Sequence, residues 1–130
     1  MVFDIIFGTS NLARAITFYD AVFAALGVGR AVDWPEGWAG WGTTYGEGAC
    51  LWVCQPYNGK PPTAGNGTML TLFGKNEKEV QAFHAAALAN GGSDEGAPGT
   101  RPYYEPNFYV AYVRDPDGNK IACAFLHHKP

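Results

Sequence analysis

Positive charge is scarce in this 130-residue sequence: nine lysines and arginines stand against twelve acids, with no basic block and a formal net charge of −3. Nucleic acids and anionic membrane surfaces are recognised through clustered cations, so neither is an expected partner. Long apolar runs are missing too, and nothing approaches the roughly 18 residues that a membrane span requires. The opening "MVFDIIFGTS" carries no basic n-region, so no secretory signal is expected and a cytoplasmic location is. Cysteine is limited to three, an odd number that suits reduced thiols in a cytoplasm better than a disulfide framework. Cys50 and Cys54 have the spacing C-x-x-x-C, but "ACLWVC" reads as a strand. Four strand residues span about 13 Å, too far for two Zn–S bonds of about 2.3 Å to meet at one ion. Histidine is equally sparse. His84 falls within a helical stretch, and the adjacent His127 and His128 point to opposite faces of an extended chain, so none is expected to hold a metal. A Gly-rich phosphate loop and a G-x-S-x-G nucleophile elbow are both absent.

What is present is enough apolar material, 47% of the chain, to exclude disorder and to bury the core of one domain. "VFDIIFG" reads as a strand with Phe3, Ile5 and Phe7 on one face and Asp4 and Ile6 on the other. Ser10 or Asn11 can cap a helix whose apolar stripe is Leu12, Ala15, Ile16, Tyr19, Val22, Phe23 and Leu26, stopped by Gly27. Strands are expected around "GRAVDW", "AGWGTTYG" and "ACLWVC", followed by the loop "QPYNGKPPTAGNG". The order then begins again. "TMLTLFG" is a strand. Asn76 and Glu79 form a capping box ahead of a stripe of Val80, Phe83, Ala87 and Leu88, and "NGG" ends that helix. Strands return near "SDEGA", "NFYVAYVR" and "NKIACAFL". A shift of 65 residues brings Ala15 onto Val80, Phe18 onto Phe83 and Gly27 onto Gly92.

The last strand poses a question. "RDPDGNKIACAF" is a turn, with Pro116 and Gly118 supplying fixed and free backbone, that feeds a strand. Ile121, Cys123 and Phe125 share one face. The other holds only Lys120, Ala122 and Ala124, so that face either packs closely or lines a space.

Two βαβββ units in one short chain resemble the vicinal oxygen chelate superfamily, which contains glyoxalase I, extradiol dioxygenases, fosfomycin-resistance enzymes and bleomycin-resistance proteins. "GTSNLARAITFYDAVFAALGV" is similar to the family's first strand end and helix. "GNGTMLTLF" is similar to the start of its second unit, and "YVRDPDGNKIACAF" to its hallmark turn and last strand. The resemblance implies an α+β fold in which two βαβββ units form curved mixed sheets around a cavity, helices outside. The first unit would span residues 1–57, a linker 58–66 and the second unit 67–128, all in one glyoxalase-like domain.

Metal-dependent members of that family use a His in the first strand, a Glu in the fourth, a His in the fifth and a Glu in the eighth. The corresponding positions here are Asp4, Trp52, Met69 and Ala122. Leu51 and Val53 should pack under the helices, which turns Trp52 inward. Only Asp4 of the four could ligate a hard divalent ion, so no metal and no cofactor is expected. Ala122 in place of Glu also removes the usual acid/base group and leaves Asp4 as the only candidate catalytic base. What remains is an aromatic cavity. Trp34, Trp38, Trp41 and Tyr45 cluster in the first unit, and Tyr103 and Tyr104 in a loop of the second. Such aromatics serve equally as core or as pocket walls. As a pocket, Asp4, Trp52, Met69, Tyr104, Lys120 and Ala122 would bind ligand, with Thr71 and Arg101 as further polar groups. A carboxylate on an apolar wall needs a partner, and Lys120 or a basic ligand could supply it.

The expected function is binding of a small, partly aromatic molecule by a metal-free homodimer. The alternative is a glyoxalase-like lyase or dioxygenase-like enzyme whose metal is relocated or absent.

Overall fold

The computed structural model describes residues 1–31, 35–42 and 49–130. Helix α1 (Leu12–Ala24) starts where Asn11, in an extended conformation, accepts a hydrogen bond from the Arg14 amide at 3.0 Å. Asn11 is therefore the cap, and the Ser10 hydroxyl is used elsewhere. Ala15, Phe18, Tyr19, Val22 and Phe23 are buried along one face. Gly27, at φ +75°, takes the chain out of the helix in a conformation that side chains resist. Helix α2 (Glu77–Ala89) is capped in the same way by Asn76, which accepts from the Glu79 amide at 2.9 Å. The Glu79 carboxylate reaches back to the Lys75 amide, one residue short of the cap itself. Val80, Phe83 and Ala87 are fully buried, but Leu88 is 42% exposed. It sits one position past Ala87, and about 100° of helical rotation carries it off the core face.

Among the described residues seven strands form two sheets. The first holds β1 (Ile5–Gly8), β2 (Trp38–Trp41) and β3 (Leu51–Cys54), in the order β1-β3-β2, with β1 parallel to β3. The second holds β4 (Met69–Phe73), β5 (Ser93–Thr100), β6 (Tyr109–Arg114) and β7 (Lys120–Phe125), in the order β4-β7-β6-β5, with β4 parallel to β7. Of the strand expected around "GRAVDW", the described residues show a bridge between Arg30 and Trp41; residues 32–34, with Trp34, lie outside them. So do residues 43–48, with Tyr45, which were expected to continue β2.

Each helix covers one sheet and the two helices pack on each other, so a single core runs through both halves. Strand alternation decides what enters it. Phe7, Leu51 and Val53 of the first sheet join Val113, Ile121 and Cys123 of the second, together with Tyr19, Phe23, Trp41 and Phe83. On the other face of β7, Ala122 and Ala124 are buried against Val110, with Phe108 and Tyr112 over them. The small side chains are close packing, and Ala122 does not line an open space.

The "RDPDGN" turn ties the halves together. Asp115, 4% exposed, accepts from the Tyr19 hydroxyl at 2.6 Å, from the Asn119 side chain and from the amides of Asp117 and Asn119. Asn119 also donates to the Gly8 carbonyl at the end of β1. Asp117 accepts from the Thr9 hydroxyl, the Ser10 amide and hydroxyl, and Arg14. Both buried residues, Asp115 and Asn119, are thus fully partnered, as a low-dielectric interior demands.

Candidate functional site

The face of the first sheet turned away from α1 carries an open cavity. Ile6 of β1 and Gly40 of β2 flank Trp52 of β3 in register. A Cβ at Gly40 would lie 2.5 Å from the Trp52 ring, so the indole lies across the bare backbone of β2, where only glycine admits it. Trp38, two residues earlier on the same face of β2, meets Trp52 with ring centroids 6.2 Å apart and planes at 76°. Phe3 and Asp4, just before β1, complete the wall with Pro35 and Ala49, enclosing about 340 Å³. Asp4 is the one ionisable side chain among the described lining residues. Ile6 and Trp38 also border an adjoining hollow of about 810 Å³ that runs over Glu36, Gln55 and Tyr57.

Of the residues expected to bind ligand, Asp4 and Trp52 therefore share a cavity. The other four belong to the second sheet or its loop, and none of them lines that cavity. Met69 and Thr71 lie on the outer face of β4, exposed, opposite Lys120 and Ala122. Lys120 holds its ammonium 5.4 Å from the centre of the Tyr112 ring, which Arg101 also approaches at 5.4 Å. No ion pair joins Lys120 to Asp4 among the described residues. Tyr104 stacks between Tyr103 and Phe108 and borders a separate hollow with Glu105 and Phe108. Trp41 is core, with its indole N–H bonded to Asp20.

Phe3 was expected on the core face with Ile5 and Phe7, yet it lines the cavity beside Asp4 and is 61% exposed. Strand pairing begins only at Ile5, and alternation sets no face before it. The seating of Trp52 also escapes the sequence, because Gly40 is one of 17 glycines and only register singles it out.

The residues expected at the family's metal positions, Asp4, Trp52, Met69 and Ala122, are a poor donor set for a hard divalent ion: only Asp4 has a side-chain oxygen, and Met69 offers a soft thioether. Among the described residues no group of three or more His, Cys, Asp or Glu stands close enough to hold a metal. The thiols are poor ligands as they stand: burial pushes Cys50 and Cys54 up, and burial, then the charge of Glu79, pushes Cys123 up to about 12. His84 is engaged with Asp94 at 2.8 Å.

The comparisons bear on family and fold. The model of the Glyoxalase/Bleomycin resistance protein/Dioxygenase superfamily matches residues 4–123. A glyoxalase/bleomycin resistance protein from Albidiferax ferrireducens is 34% identical, with a TM-score of 0.80 over 96% of this chain and 95% of that one. A glyoxalase-related enzyme from Fulvimarina pelagi is 23% identical, with a TM-score of 0.73 over 96% and 87%. Lactoylglutathione lyase from Agrobacterium tumefaciens is 19% identical, with a TM-score of 0.64 over 96% and 92%. The last two likenesses bear on the fold alone. Among curated proteins, none matches. By its sequence and its fold, the chain belongs to the glyoxalase/bleomycin resistance protein/dioxygenase superfamily.

Proposed function

We propose that this protein binds a small, partly aromatic molecule without a metal, in the cavity bordered by Asp4, Trp38 and Trp52. The observation that carries the reading is the cavity wall itself: two tryptophans at right angles beside a single carboxylate. Pockets for small molecules have this make-up, with apolar walls and few polar groups. The enzyme alternative would draw its base from Asp4. Proton abstraction next to a carbonyl also needs an electrophile for the enolate, and the described lining offers no cationic side chain for that role.

The same reading includes a homodimer. Ile6 and Trp38 on the first sheet and Met69 and Phe73 on the second are exposed apolar side chains on faces that no helix covers. Pairing those faces between copies would cover them. The two-unit organisation, 1–57 and 67–128 about the linker 58–66, is part of this proposal. No described helix is long and apolar enough to cross a membrane, and the three free cysteines suit a reducing cytoplasm.

The test is a thermal-shift and tryptophan-fluorescence screen of small aromatic compounds, with elemental analysis of protein purified without metal-affinity resin. Binding that quenches tryptophan and is weakened by Trp38→Leu is expected. One equivalent of Zn, Ni, Fe or Mn bound through Asp4 would overturn the metal-free reading. Sedimentation showing only monomer at tens of micromolar would remove the dimer.

A further inference from the structure

We infer that the Trp38–Trp52–Asp4 cavity takes an organic cation, an ammonium centre on an aromatic or alkyl body; the inference rests on the binding role proposed above and names its ligand class. Charge comes first. Asp4 is the only ionisable side chain in the described wall, and Glu36 adds a second acid in the adjoining hollow. Neither lining includes a lysine or arginine among the described residues. An anionic ligand would meet a carboxylate with no lysine or arginine among the described lining residues to offset it. A neutral one would strip water from Asp4 and return at most a neutral hydrogen bond. A cation adds charge to that contact and offsets the cost most fully.

The aromatic walls agree. Indole faces are electron-rich and draw cations within about 6 Å of the ring, most strongly where water is excluded. Trp38 and Trp52 stand at 76°, so they offer a corner rather than a slot, and Phe3 borders the same space. A corner of rings suits a rounded ammonium head better than a flat, neutral aromatic, which would stack on one wall only. A quaternary ammonium also needs no hydrogen-bond acceptors, which the side chains of Ile6, Pro35 and Ala49 in this wall lack. Lys120, the chain's own candidate partner for Asp4, is held over Tyr112 on the other sheet. The net charge of −3 gives a long-range field of the right sign.

The experiment is calorimetric titration of the full chain with three phenols of similar shape: 4-(trimethylammonio)phenol, its neutral isostere 4-tert-butylphenol, and 4-hydroxybenzenesulfonate. The cation should bind roughly tenfold or more tighter than the neutral compound, and the sulfonate weakest. Asp4→Asn should weaken the cation about tenfold while leaving 4-tert-butylphenol unchanged, since only the charged pair is lost. Trp38→Leu, at a partly exposed site that tolerates change, should weaken the cation more than the neutral phenol. If 4-tert-butylphenol binds as tightly as the cation, or Asp4→Asn leaves the cation's affinity intact, the inference falls and the pocket stands. If no phenol binds and tryptophan emission does not move, the pocket reading falls and takes the inference with it.

Discussion

Tyr19→Phe removes one oxygen from the most buried polar contact between the two halves. The Tyr19 hydroxyl donates to Asp115 at 2.6 Å, and both residues are shielded from solvent. The ring keeps its packing against Phe18, Phe23 and Trp41, so the substitution isolates the hydrogen bond. Asp115 retains the Asn119 side chain and two backbone amides, so its charge is not abandoned. A hydrogen bond to a charged group contributes about 1.5–3 kcal/mol. Unfolding entropy of about 2.1 cal/mol/K per residue gives roughly 0.27 kcal/mol/K for this chain, so Tm should fall by about 5–11 °C. Urea unfolding followed by tryptophan fluorescence measures the loss directly, with m unchanged. The pH dependence supplies a second reading. Burial, then the charge of Asp115 and the bond to it, then Asp117, hold the Tyr19 hydroxyl well above its ordinary 10.0. A raised value stabilises the fold below pH 10 and is lost as pH climbs toward the folded value. The gap between the native protein and Tyr19→Phe should therefore be constant at neutral pH and narrow above pH 10. A loss under about 0.5 kcal/mol, or a gap that widens with alkali, would refute the reasoning.

At the neighbouring acid, Asp117→Ala should cost about 1–3 kcal/mol by orphaning the Thr9 and Ser10 donors. Burial opposes ionisation of Asp117, but those bonds and Arg14 outweigh it and hold its carboxyl below the ordinary 3.8. The cost should persist above pH 3.8 and shrink as acid protonates the native carboxylate, which urea titrations between pH 2 and 7 would follow. A thiol reagent at pH 8 should find Cys50 first and Cys123 last, with all three reacting promptly only in denaturant; rapid native reaction of Cys123 would contradict its burial. Gly40→Ala should displace Trp52, cost about 1–3 kcal/mol and shift tryptophan emission, and an unaltered spectrum with unaltered stability would show that the ring is not seated on β2.

Both helices, the Asn76 cap, a first cap narrowed to Ser10 or Asn11, and most of the inward stripes were legible because each depends on residues three or four apart. Strand faces were legible wherever pairing is continuous: Leu51 and Val53 under the helices, Trp52 opposite them, Ile121 and Cys123 opposite Ala122. The reading lost Phe3, because no ladder fixes its orientation, and Leu88, because it lies at the flank of the α2 stripe, where helical spacing alone does not say how far the core reaches. The first-strand acid and the tryptophan on β3 were found together, but the cover that Phe108 and Tyr112 place over Ala122 was not. Nor was the network of the "RDPDGN" turn, whose partners in the first half lie about a hundred positions away and leave no local periodicity.

That separation has a consequence for synthesis. Tyr19, Thr9, Ser10 and the end of β1 leave the ribosome about a hundred residues ahead of their acceptors and donor at Asp115, Asp117 and Asn119. Until then the nascent first half holds a hydroxyl without its acceptor, a helix start without its counter-charge, and a core face missing Ile121 and Cys123. A stalled product that stops short of Asp115 lacks these contacts and leaves part of the core face of α1 uncovered, open to whatever chaperone or protease samples it.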